Sequence, residues 1–216
     1  ENLISSVEIA AAKDDEGHAI VPEVCICFGN ALMRGNRTRK VNSENFRAFR
    51  SDDCPVLAEA GISIRYNTGI IRRPDDWDRK PVFHKQLDTR VSILKLHPGI
   101  TPQVVRNILC GPETMAVIME TYGAGNAPSR KWFLDLVKEG IGMGKIIVNV
   151  TQCLAGSVNM DLYATGKKLE DAGVVSGHDC TTEGALAKLF HLMGMYTEKD
   201  KVIAGLGQNL RGEITK

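Results

Sequence analysis

The sequence lacks the features that assign several classes of function directly. Its formal net charge is only +1 over 216 residues, so no overall electrostatic attraction to nucleic acid or to an anionic membrane is expected. No apolar run reaches the length of a membrane span, and no signal peptide is visible at the N-terminus. Internal repeats, low-complexity segments and a G-x-S-x-G nucleophile motif are also missing. The remaining composition, 43% apolar and 25% charged, is ordinary for a soluble globular protein of one large or two small domains.

None of the six cysteines forms a C-x-x-C pair, and their scatter along the chain indicates free thiols in a reducing compartment. We therefore expect a cytoplasmic location. Two of the cysteines alternate within a strand-like run and are predicted to behave as small apolar residues on one face. The six are Cys25, Cys27, Cys54, Cys110, Cys153 and Cys180.

Metal and thiol chemistry have little support in the sequence. Residues 178–183 offer too few metal ligands, too closely spaced, and a helix cap at Thr181 followed by Glu183 explains most of this segment. Cys153 and His178 would form a nucleophile pair only if the fold brought them together, and nothing in the sequence does so. We expect no metal and no cofactor.

The chain has no initial methionine and enters a helical pattern at once. Asn2 is predicted to cap this helix, whose apolar face would hold Leu3, Val7 and residues 10–11. We therefore expect that the chain begins inside a longer protein.

A basic stretch follows the first apolar run and is the leading candidate for a site in the N-terminal part. Residues 24–28 are predicted to form a buried strand, and residues 34–40 then place four cations within seven positions. Two interpretations stay open, a solvated basic loop and a site at the end of a strand. Lys40 is the candidate residue, because an enclosed lysine can activate a neighbouring threonine, although an ordinary surface lysine is the alternative.

The remaining N-terminal pattern predicts short elements and then a linker. Residues 56–60 are interpreted as a short helix that Gly61 ends, and residues 62–66 alternate as a half-exposed strand does. Residues 67–90 lack sustained periodicity. We predict that residues 1–70 belong to a first domain, residues 71–90 to a linker and residues 91–216 to a second α/β domain.

Strands and helices alternate regularly from Val91 onward. This alternation predicts a parallel sheet with right-handed crossovers. The predicted strands are residues 91–96, 116–120 and 146–150. The predicted helices begin at Thr101 and Pro128, span residues 162–172, run from Thr182 to a stop at Gly194, and span residues 198–206.

Two loops that follow strands contain polar groups and glycine. Residues 122–128 lead into a predicted helix, and their glycines allow a ligand to approach the backbone. A tight strand-to-helix turn is the alternative interpretation, and it is the better one for a lone G-x-G. Residues 151–159 follow the next strand and are rich in polar side chains.

Taken together, the ordered loops resemble the type I L-asparaginases of bacteria and animals. The resemblance covers nearly the whole chain and rests on these blocks: Arg34-Gly35-Asn36-Arg37-Thr38-Arg39-Lys40; His97-Pro98-Gly99-Ile100; Tyr122-Gly123-Ala124-Gly125-Asn126-Ala127-Pro128; Asn149-Val150-Thr151-Gln152-Cys153; Val158-Asn159-Met160; Tyr163-Ala164-Thr165-Gly166; and Gln208-Asn209-Leu210-Arg211-Gly212-Glu213.

The resemblance implies a two-domain α/β fold with parallel sheets flanked by helices, and the hydrolysis of L-asparagine to L-aspartate and ammonia. In this family one threonine forms an acyl-enzyme, and a second belongs to a Thr-Lys-Asp group. Lys40 occupies the lysine position. The Gly-Gly-Thr-Ile and Thr-Asp-Thr motifs that carry the threonines are absent from residues 1–216. We expect the N-terminal part of the first domain to lie outside this chain, and a separate polypeptide segment to supply the threonines.

The resemblance also implies contributions from the C-terminal half. Asn126 and Tyr163 are the expected substrate-binding residues of a neighbouring subunit in a homodimer or homotetramer. Thr151, Gln152 and Cys153 correspond to a regulatory asparagine site. Glu120 stands where the bacterial pattern has an arginine, and a reversed charge there would repel the carboxylate of a regulatory asparagine.

Three alternatives to an asparaginase remain open. The first alternative is a non-catalytic fragment. The second is an asparaginase-like subunit of a transfer-RNA amidotransferase. The +1 charge disfavours RNA binding. A lipid-hydrolysing activity, which has been attributed to some animal relatives, is the third, and the missing G-x-S-x-G motif gives it little support.

Overall fold

The computed structural model describes residues 2–215, which divide into two compact units. The first extends to Phe83 and the second begins at His84. No helix in residues 2–215 is long and apolar enough to cross a membrane.

Within residues 2–83, the first unit contains one α-helix and six short strands. A four-stranded antiparallel sheet has the order β1-β2-β5-β6, and β3 pairs separately with β4. The elements are α1 (Asn2–Ala11), β1 (Cys25–Phe28), β2 (Ala31–Arg34), a 3-10 turn (Gly35–Arg37), β3 (Arg39–Lys40), β4 (Phe49–Arg50), β5 (Ala58–Ala60) and β6 (Ile64–Tyr66).

A tight turn at Gly29 and Asn30 joins β1 to β2. Both residues have positive φ, 59° and 67°, which suits a two-residue hairpin turn between twisted antiparallel strands. The strand predicted at residues 24–28 is therefore one arm of a hairpin. It lies at the edge of the sheet and is half-buried, and Val24 lies outside it and is exposed.

Two further predictions for the first unit are wrong. The segment predicted as a helix at residues 56–60 contains strand β5, because the Leu57 N–H donates to the Leu32 carbonyl at 2.7 Å and ties the segment to β2. In α1, Leu3 and Val7 are exposed and Ile9 is buried instead. Local periodicity could not foresee either outcome, because neighbouring strands determine both.

The second unit has a four-stranded parallel sheet of order β10-β9-β8-β7. Its elements are β7 (Val91–Lys95), α2 (Pro102–Leu109), β8 (Ala116–Thr121), α3 (Lys131–Gly142), β9 (Ile146–Thr151), α4 (Ala164–Asp171), β10 (Val175–Ser176), α5 (Thr182–Met195) and α6 (Lys199–Leu206).

Helices cover both faces of the parallel sheet. Val117 and Met119 of β8 belong to the core that α2, α3 and α4 complete. Ala116 and Ile118, which alternate with them, face the core built with α5 and α6. In a sheet whose strands follow chain order, right-handed crossovers place all the connecting helices on one face, as α2, α3 and α4 are here.

The predicted two-domain α/β class and the parallel sheet are confirmed. Thr101 caps α2, accepting from the Val104 N–H at 3.4 Å, and Thr181 caps α5, accepting from the Gly184 N–H at 2.9 Å. Two helix ends differ from prediction, because α3 begins at Lys131 rather than Pro128, and α5 continues through Gly194.

Candidate functional site

Most of the basic stretch in the first unit is structural. Arg34 is buried and pairs with Glu23, with 2.5 Å between Nε and Oε2, and the hydrogen bond to Glu23 raises the pKa of Arg34. Arg34 Nη2 also donates to the Ile70 carbonyl at 2.8 Å. Arg37 is buried too, and its Nη2 donates to the Asp53 carbonyl at 2.8 Å. These two guanidinium groups hold loops of the first unit together.

Lys40 differs from those arginines because it is exposed. It lies at the end of β3, opposite Phe49 of β4. Its Nζ is 5.8 Å from the centroid of the Phe49 ring, within the range of a cation–π contact. Within the 34–40 stretch, Lys40 therefore combines an accessible ammonium group with a defined backbone register.

The predicted regulatory residues lie at the carboxyl edge of the parallel sheet. Thr151 ends β9, and its hydroxyl donates to the Gly123 carbonyl at 2.6 Å. The Gln152 side chain donates to two carbonyls, Leu96 at 2.6 Å and Glu120 at 2.8 Å. Gln152 thus joins the ends of β7 and β8, and its amide nitrogen is engaged within the protein.

Cys153 completes this loop and is the exposed cysteine among the six free thiols. Its N–H donates to the Thr151 hydroxyl at 3.0 Å. Burial raises the pKa of Cys25 to about 11, and it also raises the pKa values of Cys27 and Cys110. Those three thiols are therefore poor nucleophiles at neutral pH.

Glu120 does not present an unbalanced negative charge. Its Oε2 lies 3.1 Å from Lys95 Nζ on the neighbouring strand, and its Oε1 accepts from the Thr182 hydroxyl at 2.7 Å. Because Thr182 is the first residue of α5, the carboxylate lies at the positive end of that helix. The repulsion expected from Glu120 is offset by these partners.

The second unit brings Asn126 close to the start of α4, which follows Tyr163. Thr165 in the first turn of α4 donates its hydroxyl hydrogen to Asn126 Oδ1. Tyr163 is half-exposed and directly precedes this helix. Of the two residues predicted to bind substrate, Asn126 thus makes this contact, and Tyr163 lies two residues before its partner Thr165.

A cavity of about 190 Å³ lies beside that contact. Its lining combines two lysine stems and two hydroxyls with an apolar floor: Ala127, Pro128, Ser129, Lys131, Phe133, Leu134, Thr165, Lys168 and Leu169.

Sequence reasoning gave no weight to a pair of buried polar residues beneath the Tyr122–Asn126 loop. Thr121 of β8 and Asn149 of β9 are both 0% exposed, and the Thr121 hydroxyl donates to Asn149 Oδ1 at 2.6 Å. The Asn149 amide nitrogen donates to the Gly125 carbonyl at 3.2 Å. The sequence signal for such a pair is a single polar residue within an otherwise apolar strand, because a buried polar side chain is usually hydrogen-bonded.

The segment around His178 has structural contacts. Asp179 accepts from the Thr215 N–H at 3.0 Å, and the His178 carbonyl accepts from the Val158 N–H at 2.9 Å. In residues 2–215 no group of three or more His, Cys, Asp or Glu side chains could hold a metal ion.

Comparison with known proteins identifies both halves of the chain. Residues 90–204 match the glutaminase/asparaginase C-terminal domain, and residues 1–72 match the N-terminal asparaginase domain. The chain is 39% identical to L-asparaginase 1 of Escherichia coli K12 over 215 residues, which are 99% of this chain and 61% of that protein. The chain thus spans less than two thirds of that relative.

Other relatives carry different names. The 60 kDa lysophospholipase of Mus musculus is 39% identical over 219 residues, which are 100% of this chain and 37% of that protein. A glutamyl-tRNA(Gln) amidotransferase subunit of Thermoplasma volcanium is 31% identical over 214 residues, which are 99% of this chain and 50% of that protein.

A solved structure supports the same placement. L-asparaginase I from Vibrio cholerae superposes with a TM-score of 0.83 at 42% identity, over 91% of this chain and 58% of that one. Since the C-terminal domain of the family matches more than half of the chain and the N-terminal domain matches most of the rest, this chain belongs to the glutaminase/asparaginase family.

Proposed function

We propose that this protein is an L-asparagine amidohydrolase that releases L-aspartate and ammonia. The observation that carries the proposal is the similarity to L-asparaginases along 99% of the chain, at 39% identity to the Escherichia coli enzyme. The shared fold of the Vibrio cholerae asparaginase supports it.

The proposed mechanism uses a threonine nucleophile and an acyl-enzyme, as the type I resemblance implies. Lys40 is the proposed member of the Thr-Lys-Asp group. Its ammonium group is accessible at the end of β3, so a partner segment that carries a threonine can approach it and enclose it there. The residues carrying the nucleophile are proposed to come from another polypeptide segment, since their motifs are absent from residues 1–216.

Asn126 and Tyr163 are proposed to bind the substrate of a neighbouring subunit in a homodimer or homotetramer. The Asn126 Oδ1 atom already accepts from the Ala127 N–H at 3.1 Å and from Thr165. The side-chain NH₂ group is therefore the one positioned to donate to a ligand carbonyl or carboxylate. Because Tyr163 precedes the helix that holds Thr165, both residues belong to one small constellation.

Ammonia release from L-asparagine by the intact assembly tests the proposal, with Lys40→Ala as the decisive variant. Loss of a group that transfers protons is expected to lower turnover about 100-fold or more. Lys80→Ala, which removes another exposed lysine of the first unit, is the matched control and should keep normal turnover. Near-normal turnover in Lys40→Ala would contradict the assigned role.

Two further measurements on the same preparation test the partners and the regulation. A mass spectrum shows whether a polypeptide with the threonine motifs accompanies this chain, and finding this chain alone contradicts the proposed source of the nucleophile. Thr151, Gln152 and Cys153 are proposed to bind a regulatory asparagine. A sigmoidal dependence of rate on asparagine concentration supports that site, and a hyperbolic one contradicts it.

The second candidate function is that of a transfer-RNA amidotransferase subunit, which the Thermoplasma volcanium relative favours. It predicts that the protein consumes an amide donor only in the presence of an acylated transfer RNA. Ammonia release from free asparagine without RNA discriminates between the two candidates.

A further inference from the structure

A chain of buried hydrogen bonds runs from β8 through β9 to the loop that carries Asn126. It begins at the Thr121 hydroxyl, passes through the side-chain amide of Asn149, and ends on the Gly125 carbonyl. Thr121 and Asn149 are both 0% exposed, and they lie in strands that contribute residues to both apolar cores. Polar groups in such a place are costly unless every partner is present.

The chemistry of these contacts fixes the orientation of the Asn149 amide. The Gly125 carbonyl is an acceptor only, so the amide nitrogen must face it, and Oδ1 then faces the Thr121 hydroxyl. An aspartate or a leucine of the same shape could not satisfy both neighbours. The position therefore calls for an amide rather than for any residue of suitable volume.

The Gly125 carbonyl belongs to the same peptide unit as the Asn126 N–H. That N–H donates to the Tyr122 carbonyl at 2.8 Å, and the Asn126 carbonyl accepts from the Tyr122 N–H at 2.9 Å. Both ends of the peptide unit are thus held, one by Asn149 and the other by Tyr122. Because a peptide unit is planar, the two bonds fix where the Asn126 Cα lies.

Gly125 makes this contact sterically accessible. Its φ is 108°, which disfavours other residues, and a Cβ there would lie 3.1 Å from Asn149 Nδ2 and 2.9 Å from Val158 Cγ1. A side chain would push the loop away from the buried amide. The glycine and the asparagine are therefore matched to each other.

We infer that Thr121 and Asn149 are positioning residues, which set the place of Asn126 without touching the substrate. This inference rests on the proposed function, in which Asn126 binds the substrate. The Thr121 hydroxyl orients the Asn149 amide, the amide holds the Gly125–Asn126 peptide unit, and the peptide unit aims the Asn126 NH₂ group.

The test is a double-mutant cycle on asparagine hydrolysis by the intact assembly. Thr121→Val keeps the shape and removes the hydroxyl, and it is expected to lower kcat/KM about 10- to 100-fold through misplacement of Asn126. In an Asn126→Ala background the same substitution should cause no further loss, because the residue being positioned is gone. Thr121→Ser, which keeps the hydroxyl, should restore near-normal activity.

Thr114→Val is the matched control. Thr114 is also buried, and its hydroxyl shares a 2.8 Å hydrogen bond with Ser92, but it precedes the amino end of β8. It should reduce stability without a change in kcat/KM. Amide hydrogen exchange at residues 122–126 should be faster in Thr121→Val and unchanged in Thr114→Val.

The outcomes separate the inference from the proposed function. If Thr121→Val lowers kcat/KM equally with Asn126 present and with Asn126 replaced by alanine, Thr121 has an ordinary structural role and the inference is overturned. In that case a low kcat/KM in Asn126→Ala still supports the proposed function. A normal kcat/KM in Asn126→Ala would show that Asn126 does not bind the substrate, and it would therefore overturn the inference as well. Unchanged hydrogen exchange at residues 122–126 in Thr121→Val also overturns the inference.

Discussion

Arg34 and Lys188 each form a buried ion pair, although nothing in the sequence distinguishes them from exposed basic residues. Lys188 Nζ lies 2.7 Å from Glu213 Oε1, and both side chains are 5% exposed. Lys188 also donates to the Leu206 carbonyl at 2.9 Å, and Glu213 accepts from the Leu210 N–H at 3.0 Å. The pair joins α5 to the segment that follows α6.

Glu213→Gln is expected to destabilise the protein by about 3–5 kcal/mol, because it leaves the Lys188 ammonium buried without a counter-charge. Urea unfolding at neutral pH measures the change. Glu198→Gln removes the partner of Lys201 in an exposed pair, so it should leave the unfolding midpoint unchanged. Equal midpoints for the two variants would contradict this account.

The same pair gives the protein an acid-sensitive step. Burial acts to raise the pKa of Glu213, but the bonds from Lys188 and from backbone N–H groups outweigh it and lower the pKa overall. A lowered pKa in the folded state means that this stabilisation is complete above about pH 4.3, the ordinary glutamate pKa, and is lost as the pH falls further. Glu213→Gln should flatten this part of the stability–pH curve.

The sequence indicates which residues are candidates for a site more readily than it indicates their hydrogen-bond partners in the fold. The loops of Asn126 and Thr151 follow predicted strands, whereas Tyr163 rests on the resemblance alone, and the roles of all three stay predictions. The importance of Asn149 was not foreseen, because its partners come from Thr121 and Gly125, which lie 28 and 24 residues away. Side-chain hydrogen bonds across strands are invisible to a pattern along one strand.

At the scale of elements, the parallel sheet was predictable and the first unit was less so. Strands β7, β8 and β9 are mostly apolar runs that alternate with helices, and local pattern and tertiary packing agree there. Strand β5 has only three residues and depends on pairing with β2 and β6, so no local signal identified it.

Gly194 shows how packing overrides a helix-stop signal. It lies inside α5, where a Cβ would come within 2.2 Å of the Gln86 carbonyl oxygen. The Asp88 N–H donates to the Phe190 carbonyl at 3.1 Å, and the rings of His84 and His191 lie 5.2 Å apart. The absence of a side chain at Gly194 therefore allows the backbone of the segment before β7 to pack closely against α5.

Gly194→Ala is expected to destabilise the protein by about 1–3 kcal/mol, because the backbone of that segment must move. Gly142→Ala at the end of α3 is the matched control, since a Cβ there meets nothing within 4 Å. The control should gain about 0.5–1 kcal/mol, as alanine usually does in a helix. Thermal unfolding of both variants measures this, and a stabilised Gly194→Ala would show that α5 tolerates the side chain.

For the molecule as a whole, the division into two units follows from where contacts are dense. The boundary between Phe83 and His84 lies in a long exposed segment without helix or strand. The sequence indicates an irregular region there, because residues 67–90 lack the periodicity of a helix or a strand. The extents predicted for the two domains stay predictions.

Limited trypsin digestion is expected to cut the native protein first in this segment. Arg79 and Lys85 are exposed, lie outside regular structure and are not followed by proline, whereas Arg37 and Lys188 are buried. Mass spectrometry should find two fragments that meet near residues 79–85 before any other product. Early cleavage after Arg37 or Lys188 would contradict the burial described for them.

The strand order of the parallel sheet has a consequence for how the protein is made. Each of β8, β9 and β10 pairs with the strand that precedes it in the chain. A nascent chain leaving the ribosome can therefore add one strand at a time to an edge already formed, without waiting for a distant partner. Strand β8, with Thr121 at its end, and the Gly125 loop both precede Asn149 in synthesis, so the amide that holds Gly125 meets its partners on arrival.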